Sequence, residues 1–68
     1  MKLTQKEASV LLAAVAERPE FIRFGQALWN GLPEDLAKAY VSTDLDFFGW
    51  ADKKADKIVE IFYTHFVE

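Results

Sequence analysis

Asp44, Asp46 and Gly49, within STDLDFFGWAD at residues 42–52, come closest to a ligand site by residue type and spacing. Two carboxylates two residues apart, followed by a glycine, are how a calcium-binding loop between two helices begins. On that template Asp44, Asp46 and Gly49 occupy positions 1, 3 and 6, and Asp52 occupies position 9. The remainder of the pattern opposes the reading. Phe48 at position 5 has no oxygen to offer, and Ala55 stands where a bidentate glutamate would close the loop. The simpler expectation is a turn in which Asp44 or Asp46 caps one helical turn ahead of the last helix. No metal ligand is assigned.

Other chemistry is equally poorly supplied. His65 is the single histidine, and no cysteine exists to share a metal with it or to form a disulfide. The hydroxyls of Thr4, Ser9, Ser42, Thr43 and Thr64 would need a positioned base to act as nucleophiles, and the pattern provides none. Gly25, Gly31 and Gly49 are isolated, so no glycine-rich phosphate loop is present. The expectation is a protein that is not an enzyme and uses no cofactor.

The aromatic residues suggest a different activity. Phe47, Phe48 and Trp50 adjoin Asp44, Asp46 and Asp52, and three such neighbours cannot all turn to one face of a helix or turn. Trp29 and Tyr63 add to the excess. A small domain needs aromatic rings in its core, and that accounts for part of the set. The rest would form an exposed anchor ringed by carboxylates, which is how protein-binding hot spots are built apart from the acidity. Asp44, Asp46, Phe47, Phe48, Trp50 and Asp52 are therefore the expected partner-binding residues, the partner being a protein. The same surface could serve a homodimer, since small bundles gain stability by association.

The elements that must hold these residues are helical. A chain of 68 residues is one domain, residues 1–68, near the lower limit for folding alone. Its 51% apolar composition, with six Phe, two Trp and two Tyr, offsets the small size. Thr4-Gln5-Lys6-Glu7 is a capping box, with Leu3 and Ala8 at the hydrophobic-staple positions, and predicts a first helix from Gln5 to about Glu17. Ala8, Leu11, Leu12 and Val15 make its inner face. Pro19 is expected in the first turn of a second helix, with Phe21, Phe24 and Leu28 as its stripe and Gly25 as a point of close packing. Gly31 is expected to end that helix in a left-handed conformation. Pro33-Glu34-Asp35 opens a short third helix with Leu36 and Tyr40 inward. Ala51, Ala55, Ile58, Val59, Phe62 and Phe66 recur at helical spacing in a fourth. The fold class is all-α, a compact bundle of three to four short helices.

Charge and hydropathy narrow the partners further. Net charge is −3, and residues 31–68 hold eight acids against four lysines. A third helix that begins Pro-Glu-Asp and carries only Lys38 is a poor recognition helix, so nucleic acid is an unfavoured partner and a DNA-binding accessory protein the last alternative. The apolar run from Ala8 to Ala16 is too short to span a membrane and is read as a core helix rather than a leader. The expected location is the cytoplasm.

Arg23-Phe24-Gly25-Gln26-Ala27-Leu28-Trp29-Asn30, then Leu32-Pro33, Leu36-Ala37 and Thr43-Asp44-Leu45-Asp46-Phe47-Phe48, resemble a group of short proteins of bacteria and their phages. That group carries an R-x-G-Q-A-x-x-N segment, a short Leu-Pro helix and a T-D-L-D-P-F-like segment. The likeness covers about residues 18–48, and this chain lacks the proline after the second aspartate. The resemblance implies a phage or mobile-element accessory protein and carries no mechanism with it. Within the shared segment Arg23, Gln26 and Asn30 stand at i, i+3 and i+7, on one face of the second helix. From there Arg23 is expected to pair with Asp44 or Asp46, and Gln26 and Asn30 to hold the TDLD turn.

Overall fold

A computed structural model describes residues 2–68 of the chain. Four α-helices follow in order: α1 Gln5–Ala16, α2 Phe24–Asn30, α3 Glu34–Tyr40 and α4 Ala55–Ile61. A 3₁₀ turn, Asp52–Lys54, leads into α4, and a π-helical turn, Phe62–Phe66, continues it. This is the all-α bundle expected, with no named strand among the described residues.

α1 begins as its sequence requires. The Thr4 hydroxyl accepts the Glu7 N–H at 3.1 Å, and the Glu7 carboxylate accepts the Thr4 N–H at 2.9 Å. Both bonds satisfy donors that the first helical turn leaves without intrahelical partners. The helix ends at Ala16, with Glu17 as its cap. Ala8 and Val15 are buried, and Leu11 and Leu12 pack partly buried against the core.

α2 starts later than the proline suggested. Residues 19–22 form a turn, closed by the Ile22 N–H on the Pro19 carbonyl at 3.0 Å, and the helix begins only at Phe24. Phe21 therefore leaves the expected core stripe and is 82% exposed, while Leu28 and Trp29 are buried. Gly31 ends α2 with φ −86°, so it is not the expected left-handed stop. A Cβ there would meet the end of the half-buried Leu11 side chain of α1, which would have to turn aside. Gly25 is the close approach expected of it, since a Cβ would lie 2.5 Å from the Phe47 carbonyl oxygen and 3.2 Å from Ile58 Cδ1. Gly25 thus lets α2 sit against α4 and the loop before it, where the obstructing atom is backbone.

The core closes around Phe66. Its ring meets Tyr40 at 4.7 Å between centroids, Phe47 at 5.6 Å and Trp29 at 6.0 Å. Trp29 also meets Phe47 edge-on at 5.2 Å. Such pairs each add about 0.5–1.5 kcal/mol beyond their area. Trp29 is therefore core, not surplus. The π turn widens the end of α4, a distortion used in single turns. The chain then runs out extended at Val67, which forms a parallel bridge with Leu3. The Leu3 N–H donates to the Phe66 carbonyl at 2.9 Å and the Glu68 N–H to the Leu3 carbonyl at 2.8 Å. The Gln5 Nε2 donates to the Glu68 carbonyl at 2.7 Å, tying the two ends of the described chain together.

Candidate functional site

The loop between α3 and α4 is built on one carboxylate. α3 ends at Tyr40, and Ser42 takes φ +62°, a left-handed conformation that costs a residue with a Cβ about 1–2 kcal/mol. Asp46 offsets that cost. Its Oδ2 accepts the Ser42 N–H at 2.8 Å and its Oδ1 accepts the Phe48 N–H at 3.1 Å. Thr43 supports the same turn: its hydroxyl donates to the Tyr40 carbonyl and accepts the Leu45 N–H at 3.2 Å, and its carbonyl accepts the Asp46 N–H at 3.1 Å. The TDLD segment is thus a side-chain-braced turn. Asp46 caps the turn itself rather than the fourth helix.

With the turn set, consecutive aromatics separate. Phe47 is fully buried between Trp29 and Phe66. This corrects its expected place in a partner-binding surface: a ring with no solvent exposure cannot be an anchor, and the aromatic core takes it. Phe48 stays 37% exposed. Trp50 is half-buried, with the Lys54 ammonium 5.2 Å from its ring centroid, an arrangement favoured by the ring quadrupole. Gly49 has no neighbour that a Cβ would meet, so nothing around it calls for a glycine. Asp44 is exposed at the tip of the turn.

Asp52 works at longer range. Its Oδ1 accepts the Phe24 N–H at 2.8 Å, capping the start of α2 from 28 residues away. Its Oδ2 lies 3.5 Å from the Arg18 guanidinium. Arg18 in turn donates to the Ile22 carbonyl at 2.8 Å and the Val15 carbonyl at 3.1 Å, and stacks 5.5 Å from the Phe24 ring centroid. Arg18 and Asp52 together join the end of α1, the turn carrying Phe21, the start of α2 and the 3₁₀ turn. Sequence reading missed this hub, because neither residue carries a local signal for a partner so distant.

The expected bracing of the turn from α2 is not found. No ion pair joins Arg23 to Asp44 or Asp46, and neither Gln26 nor Asn30 donates a side-chain hydrogen bond to residues 43–46. The turn is satisfied from within, which leaves Arg23 and Asn30 exposed on the surface. Among the described residues no three His, Asp or Glu side chains gather as a metal set would. No helix there is long and apolar enough to cross a membrane. Comparison with known protein families, with curated proteins and with solved structures finds no match to this chain.

Proposed function

We propose that this chain is a small, non-enzymatic protein-interaction module, of the kind a phage or mobile element encodes to bind and modulate a host or phage protein. The contact surface on this reading is made by two linked turns. One carries Phe21, and the other carries Phe48 and Trp50, with Asp44 and Lys54 as the charges beside it. The observation that carries the reading is the Arg18–Asp52 hub, which fastens the turn bearing the most exposed large apolar side chain to the segment that follows Trp50. Apolar rings held out on braced turns bind at little entropic cost, because their backbone is already ordered. Asp46 and Asp52 serve this surface indirectly, as the residues that shape it.

The test is a tagged pull-down from bacterial lysate, beside a Phe21→Ser, Phe48→Ser double variant. Neither ring is buried, so the variant should melt within a few degrees of the parent. A bacterial protein captured in stoichiometric amount by the parent and not by the variant is the expected result, followed by calorimetry with the purified partner. Equal capture by both chains would remove these turns from the contact surface.

A further inference from the structure

We propose that the outer face of α1 is a self-complementary interface through which two copies of this chain pair antiparallel. The observation is independent of the two turns. α1 is apolar on both sides: Ala8, Leu11, Leu12 and Val15 face the core, and the opposite side carries Val10, 63% exposed, with Ala13 between Lys6 and Glu17. At 100° per residue Lys6, Val10, Ala13 and Glu17 fall on a single ridge directly opposite the core-facing stripe. An ordinary surface helix would carry polar residues in the middle of that ridge.

The charges identify the occupant as a second copy. The ridge ends in a cation at the N-terminal end of α1 and an anion at its C-terminal end. Neither Lys6 nor Glu17 takes part in any ion pair among the described residues. A two-fold axis passing between Val10 and Ala13 sets Lys6 of each copy opposite Glu17 of the other, and Val10 opposite Ala13. This is the isologous pattern that a symmetric dimer requires. A parallel pairing would place Lys6 on Lys6 and Glu17 on Glu17. The small Ala13 side chain permits the close interaxial approach that lets Val10 of the facing copy reach the backbone.

The dimer is a weak one. A stable dimer interface buries about 800 Å² per partner, whereas the whole surface here is 4458 Å² and α1 offers only about three turns. A dissociation constant on the order of 100 μM is the expectation for so small a contact.

Sedimentation equilibrium of the full chain up to about 1 mM tests the proposal. The expected result is a mass rising toward that of a dimer, and Val10→Lys should hold the protein monomeric. Lys6→Glu and Glu17→Lys should each weaken association by about tenfold, through two lost pairs and two new repulsions. The Lys6→Glu, Glu17→Lys double variant should restore it. Each swap places its new charge favourably for the helix dipole, so the fold is not put at risk, and melting curves check this. A parent that stays monomeric throughout overturns the proposal. So does a dimer indifferent to Val10→Lys, or a double swap that fails to restore pairing.

Discussion

Two aspartates six residues apart organise this molecule in opposite ways. Asp46 bonds two N–H groups within four residues of itself and sets the shape of one loop. Asp52 bonds an N–H 28 residues away and an arginine 34 residues away, and so sets how three segments meet. The local brace compensates a strained residue, Ser42, and has backbone donors at both oxygens. The long-range brace stabilises no strained backbone, and its carboxylate is 56% exposed to water. Solvent discounts the Arg18 pair accordingly. The difference implies that conformation is specified by Asp46 and assembly of the two turns by Asp52.

The largest expected effect concerns what both aspartates frame. Phe47→Ala should cost about 3–5 kcal/mol, because it removes a fully buried ring and two edge-on aromatic contacts. In so small a domain this could abolish folding altogether, which loss of near-ultraviolet dichroism would report. If instead the variant melts within a few degrees of the parent, Phe47 is not the ring the core depends on and the separation of Phe47 from Phe48 fails.

Asp46→Ala comes next, at about 1.5–3 kcal/mol, since two backbone donors lose a charged acceptor and Ser42 loses the bond that offsets its conformation. At about 4–8 °C per kcal/mol this is a large fall in melting temperature. Asp52→Ala should cost less, about 1 kcal/mol, as expected for removing a helix cap together with an exposed ion pair. Asp52→Asn, which keeps an acceptor for the Phe24 N–H, should recover most of that. Thermal melts of the three variants at fixed pH rank them. A loss at Asp52 equal to that at Asp46 would show that the long-range brace is as structural as the local one, and would remove the contrast.

Much of the fold was legible in the chain because local chemistry decides it. The Thr4–Glu7 capping box, the opening of α3 at Pro33 and the inward spacing of Ile58, Phe62 and Phe66 each depend on residues within one or two helical turns. The late start of α2 was not legible. Pro19 is compatible with either a helix start or a turn, and the Arg18 bonds to the Val15 and Ile22 carbonyls accompany the turn. The candidate site divides the same way. That the TDLD segment forms a turn follows from residue types alone. The displacement of Phe47 inward and Phe48 outward depends on Trp29 and Phe66, which lie 18 and 19 residues from Phe47 in the chain.

By itself, then, the amino-acid sequence determined an all-α bundle, the capping box of α1, the existence of the loop at residues 42–50 and the absence of any thiol chemistry, because these depend on residue type and on neighbours a few positions away. Only the tertiary structure decided which of Phe47, Phe48 and Trp50 is core, that Gly31 ends its helix without a left-handed backbone, and that Asp52 caps a distant helix. Packing assigns those roles, since a side chain's burial and its hydrogen-bond partner are set by what the rest of the chain brings against it.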